Sequence, residues 1–141
     1  MNFRCDHSSD EFVTSGWATL KNNKWQINEN EDNRKLLSRH ALDFYDLKTV
    51  GASGWAITFD ETYGEERFRQ RTLVFCIVRV QRSVCGTSDV GYLQLIRNNR
   101  KADFTSYALQ LLQTVEFMDD LVPEGGNGTE WDSLKTDQTP P

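Results

Sequence analysis

The sequence is poor in the residues that would commit it to a specialised class. Its 141 residues include only three cysteines, three prolines and two histidines. Cys5, Cys76 and Cys85 are odd in number and share no repeated spacing. They spell neither a disulfide framework nor a Cys-x-x-Cys metal or redox motif, so the expectation is reduced thiols and no disulfide. Cys5-Asp6-His7 resembles a fragment of a metal site, but zinc wants four ligands at defined spacings, and only His40 and Cys85 remain as distant partners. No metal and no cofactor is expected.

Long apolar runs are also missing. The longest, Leu73-Val74-Phe75-Cys76-Ile77-Val78, falls far short of the ~18 residues a membrane-spanning helix needs. Met1–His7 lacks the apolar centre of a signal peptide. The expectation is therefore a cytoplasmic protein, with the nucleus as the alternative compartment and no membrane partner. Gly-x-Ser-x-Gly, His-Glu-x-x-His and a glycine-rich phosphate loop are absent. No catalytic residue can be named, and an enzyme is not the favoured reading.

What is present is the composition of one globular domain. Hydrophobic residues make up 38% and charged residues 26%, too apolar for disorder, and the length fits a single core. Polar residues 1–10 read as a loosely ordered N-terminus, 11–122 as the domain, and 123–141 as a polar, flexible tail that Trp131 and Leu134 could dock.

Periodicity gives the elements. Phe12–Leu20 and the alternating Trp25–Glu29 flank a Lys21–Lys24 turn and suggest a hairpin. A helix should begin near 31–33, capped by Asp32 or Asn33, with Leu36, Leu37, His40, Ala41, Phe44 and Leu47 on its apolar face. Strands are expected at 55–59, 71–84 and 91–97, the last two joined by a turn over Cys85–Asp89. Asp103 can cap a final helix whose core face is Phe104, Tyr107, Ala108, Leu111, Val115 and Met118. The fold class that follows is α+β, in ββαβββα order. It is an antiparallel sheet of about five strands with two helices packed on one face. The strand over Leu73–Val80 should be central, and Val74, Val78, Val80, Phe104, Leu111 and Val115 should be buried together.

Charge is the least ordinary feature. The net value is −5, but residues 1–66 carry −5, 67–101 carry +7 and 102–141 carry −7. If Val84 pairs with Val90, then Arg69, Arg71, Arg79 and Arg97 share one sheet face, with Arg67 upstream and Arg100 and Lys101 just beyond. Arginine's planar fork suits phosphates or carboxylates alike. Opposed to it stands the acidic loop of Asp60, Glu61, Glu65 and Glu66, near enough in sequence to pair with those same arginines.

Two functions of different class follow. The favoured one is a non-enzymatic protein that occludes a protein partner, in the manner of an inhibitor, an immunity protein or a viral or phage accessory protein. Its acidic loop would meet a basic target. The alternative is a nucleic-acid-binding domain, such as a viral RNA-sequestering suppressor, that lays the arginine face on a phosphate backbone. A homodimer fits either reading.

Overall fold

The computed structural model describes residues 1–7 and 17–118. Its framework is a five-stranded antiparallel sheet built from β1 (Asn2–His7), β4 (Leu42–Thr49), β5 (Ala52–Asp60), β6 (Gln70–Arg79) and β7 (Arg82–Tyr92). Their spatial order is β1-β7-β6-β5-β4. The expected α+β class and antiparallel sheet stand, and Leu73–Arg79 lies on the central strand. That position suits a run apolar on both faces, because β6 is buried on both.

A separate hairpin, β2 (Ala18–Lys21) and β3 (Lys24–Ile27), turns at Asn22 and Asn23, which take φ of +51° and +60°. Asparagine tolerates this left-handed backbone better than most residues, as a two-residue hairpin turn requires. Helix α1 (Glu31–Ser38) is capped by Asn30, whose side chain accepts the Asn33 N–H at 2.8 Å. Helix α2 (Leu93–Asn98) and helix α3 (Thr105–Gln113) follow the sheet.

The helices divide between the two faces of the sheet and do not share one. On one face Ala18 and Trp25 of the hairpin and Leu36 of α1 pack on Trp55, Ile57, Val74 and Cys76. On the other, Ala108 and Leu112 of α3, with Val115 and Phe117 beyond it, pack on Leu47, Ala56, Leu73, Phe75 and Ile77. The expected common core is corrected accordingly. Val74 and Val78 belong to the hairpin side and Val115 to the α3 side. Val80 (85% exposed), Phe104 and Leu111 face outward.

Five features differ from expectation. The N-terminus over residues 2–7 is an edge strand on β7, held by backbone pairing that polar side chains do not forbid. The first helix ends at Ser38, and His40, at φ +51°, sits exposed in the turn into β4. Residues 42–49 alternate between the two sheet faces, and a mixture of both faces' apolar positions had imitated helical spacing. The β6–β7 turn falls at Val80-Gln81, so Ile77 pairs with Val84 and Gly86 lies inside a strand. A Cβ at Gly86 would sit 2.0 Å from the Asn2 carbonyl oxygen and 2.8 Å from the Phe75 ring, so β1 can reach β7 only because that side chain is missing. Finally, residues 93–98 are α2 and not a strand: after a register shift at Arg71/Thr72, beside Gly91 at φ +145°, the pairing runs only as far as Gln70–Tyr92.

The corrected register places Cys76 opposite Cys85, with their Sγ atoms at bonding distance, 2.09 Å, and both side chains fully buried. The expectation of no disulfide is therefore corrected. Spacing in sequence did not betray the pair because the turn had been placed over Cys85 itself. Cys5, on β1, is the free cysteine and is exposed. No helix among the described residues is long and apolar enough to cross a membrane. The expected strand at 12–16 and the tail at 123–141 lie outside the described residues.

Candidate binding surface at the acidic loop

The residues singled out by charge converge on one end of the sheet, around the loop of residues 61–69 that joins β5 to β6. Antiparallel pairing sets Asp60, the last residue of β5, opposite Arg71 near the start of β6. Arg71 donates from Nε to Asp60 Oδ1 at 2.7 Å, from Nη2 to Asp60 Oδ2 at 3.0 Å, and from Nη1 to Asp103 Oδ2 at 2.7 Å. All three side chains are three-quarters or more buried. Asp103 also accepts the backbone N–H of Thr105 at 3.0 Å and its hydroxyl at 2.5 Å, which fastens the start of α3. One guanidinium thus ties two strands to a helix.

The charges respond to this packing. The hydrogen bond to Asp60 is the largest influence on Arg71 and, against the cost of burial, holds its pKa above the ordinary arginine value. Burial pushes Asp103 upward, but the Thr105 hydroxyl and N–H, and then Arg71, outweigh it and hold that carboxyl below its usual range. Tyr45, on the same sheet face, is raised above its ordinary value mainly by burial.

Most of the remaining loop charges also meet partners within the chain. Arg67 donates to Glu65 at 2.9 Å and stacks on Phe68, 4.5 Å from the ring centroid. Arg97, from α2, pairs with Glu66. Arg69 donates to the Gly64 carbonyl at 3.1 Å, and the Glu61 carboxylate accepts the Gln70 N–H at 2.9 Å. Arg79 lies at the far end of β6, about 26 Å from Arg71 at ~3.3 Å per residue. It donates to the Phe117 carbonyl at 2.8 Å. Arg100 and Lys101 are exposed in a short 3-10 turn.

The structure therefore brings Arg67, Arg69, Arg71 and Arg97 to the acidic loop but not to a common open face. Arg71 and Arg79 do share a face of β6, and that face is covered by α3. Of the four loop carboxylates, Asp60, Glu65 and Glu66 each hold an arginine, whereas Glu61 is in no ion pair among the described residues.

Charge reasoning alone missed the apolar side of this loop. Trp17 stacks on Phe59, ring centroids 5.5 Å apart and planes 11° from parallel. With Leu36 and residues 60–64 they line a mostly apolar groove of about 640 Å³. Tyr63 at the loop tip is 90% exposed and Phe68 is 59% exposed. Phe68, Tyr92 and Leu95 line a second, smaller hollow of about 260 Å³ beside Arg67. Tyr63 and Phe68 were visible in sequence as aromatics inside a polar connection, where no strand or helix asks for them. The groove was not visible, because Trp17 and Phe59 are 42 residues apart in sequence. Comparison with protein-family models, with curated proteins and with solved structures finds no match.

Proposed function

We propose that this chain is a non-enzymatic binding protein that occludes a protein partner, docking with the outer side of the loop between β5 and β6. The observation that carries this reading is a contrast at that loop: Asp60, Glu65 and Glu66 are already paired with arginines of the same chain, while its largest aromatic side chains face solvent. Tyr63 and Phe68, with Tyr92 and Leu95 beside them, are exposed on a connection fastened by Arg67–Glu65, Arg97–Glu66, Arg69 to the Gly64 carbonyl, and Gln70 to Glu61. Exposed Tyr and Phe next to Arg on a fixed backbone match the composition of interface hot spots, and they lose little entropy on binding. Inhibitor-like or immunity-like occlusion follows if the partner's working site lies under this surface.

The arginine set supports the RNA-sequestering alternative less well, since Arg67, Arg71 and Arg97 already hold carboxylates. Reduced thiols would favour a cytoplasmic or nuclear setting, and the Cys76–Cys85 bond withholds that support.

The test is photo-crosslinking in native cell extract with benzoylphenylalanine at position 63 or 68 and, as a control, at position 50 in the β4–β5 turn. A discrete protein adduct from 63 and 68 but not from 50, weakened about tenfold by Tyr92→Ala or Leu95→Ala, is expected. An adduct to RNA, or adducts of equal pattern from all three positions, would overturn the reading.

A further inference from the structure

We propose that the groove floored by Trp17 and Phe59 receives a lysine or arginine of the protein partner, set beside an apolar residue, with Glu61 as the anion that selects it. This rests on the partner-docking reading above and deepens it. The argument is one of charge left over. In the loop, Asp60 is paired with Arg71, which it shares with Asp103, Glu65 with Arg67 and Glu66 with Arg97. Glu61 lines the groove, and among the described residues the hydrogen bond its carboxylate accepts comes from a neutral backbone N–H, that of Gln70, at Oε2. Its charge is unmatched by any cation among the described residues.

The walls beside it are apolar: Trp17, Leu36 and Phe59. A bare anion does not fit such walls, and a purely apolar side chain leaves Glu61 unanswered. A basic side chain answers both, because its aliphatic stem lies on aromatic surface while its head seeks a carboxylate. The volume of about 640 Å³ exceeds what one such side chain fills and leaves room for an apolar neighbour. Arginine is the better fit of the two, since its planar guanidinium also stacks on an aromatic face.

The probes are acetyl-Leu-Arg amide and acetyl-Leu-citrulline amide, which share a shape and differ in charge. Each is titrated into the full ¹⁵N-labelled chain and followed by amide and indole N–H shifts. With the arginine peptide, saturating shifts at the Trp17 indole and at the Glu61 and Thr62 amides are expected. The citrulline peptide should bind about two- to fivefold more weakly, the worth of one exposed ion pair. Glu61→Gln keeps an acceptor for the Gln70 N–H and so preserves the loop. In that variant the two peptides should bind equally. Equal binding of the two peptides to the unaltered protein would overturn the choice of a cation, and an absence of shifts around Trp17 would overturn the site. Neither result touches the crosslinking pattern at positions 63 and 68, so the docking surface and its groove stand or fall separately.

Discussion

At the scale of single residues, Arg71 is the side chain on which most depends. It answers two carboxylates from two other elements, and all three groups are largely out of water. Removing the cation leaves Asp60 and Asp103 facing each other's charge with no partner between them. Arg71→Gln should therefore destabilise the fold by about 1–3 kcal/mol in urea melts, more than an exposed pair is worth and less than a fully buried one. Asp103 makes the same network pH-sensitive. Its carboxyl is held below its ordinary value in the folded protein, so the stability it contributes is present above about pH 4. That contribution is lost as pH falls through the lower, folded value. Asp103→Asn should lower the melting temperature at neutral pH, and the gap between variant and parent should narrow steadily below about pH 4. A gap independent of pH would mean that Asp103 acts only as a helix-start hydrogen-bond acceptor. Tyr45 works at the other limb: raised by burial, it favours the fold below its ordinary value of 10.0 and ceases to as pH climbs through the folded one.

At the scale of elements, α3 shows how much a sequence says about packing and where it stops. Phe104, Tyr107, Ala108, Leu109, Leu111, Leu112 and Val115 are apolar over more than half the circumference, so the helix itself is legible while its inward side is not. The sheet selects Thr105, Ala108 and Leu112, two small residues and one leucine that is fully buried. Leu112→Ala should cost about 2–5 kcal/mol, whereas Leu111→Ala, at a position 45% exposed, should cost under about 1 kcal/mol. Equal losses in a thermal melt would contradict the orientation of the helix. The β6–β7 hairpin teaches the same lesson through register. Alternation along Leu73–Ile77 assigned β6 its two faces, but the turn residues Val80-Gln81 carry no turn signature, while Gly86 carries one and is used for close approach to β1. That one shift moved Arg97 from a strand to a helix and brought Cys76 against Cys85. Denatured, unreduced protein should thus titrate one thiol per chain, Cys5, and three after reduction. Closing a ten-residue loop should be worth about 2–3 kcal/mol on the chain-entropy model.

At the scale of the whole molecule, the segregation of charge along the chain is partly cancelled by folding among the described residues, and that bears on what the protein presents to others. The +7 segment was legible, as was the acidic loop that could neutralise it. Which carboxylate meets which arginine depends on three-dimensional register and was not. Folding lays β6 and α2 against the loop, where Arg67 and Arg97 each meet one carboxylate and Arg71 meets two. Arg79 is drawn to the opposite end of the sheet. A nucleic-acid groove needs several cations presented together, because each phosphate contact contributes its own counterion release. Four cooperating arginines would give a salt slope of about −3 to −4 on logarithmic axes, using −0.9 per contact. The matched arrangement predicts otherwise. In gel-shift titrations with short duplex RNA at about 50 mM salt, no saturable complex is expected, and Arg71→Gln with Arg79→Gln should change nothing beyond the lost stability. Arg100 and Lys101, exposed on their 3-10 turn, provide the sharpest counter-test. If RNA does bind with the steep slope and loses it when these two become Gln, the basic segment is a nucleic-acid surface and the loop aromatics must be reassigned to stacking on bases. If it does not, the paired charges of the loop are fasteners within the chain, and the surface proposed for a partner remains Tyr63, Phe68 and the groove beside Glu61.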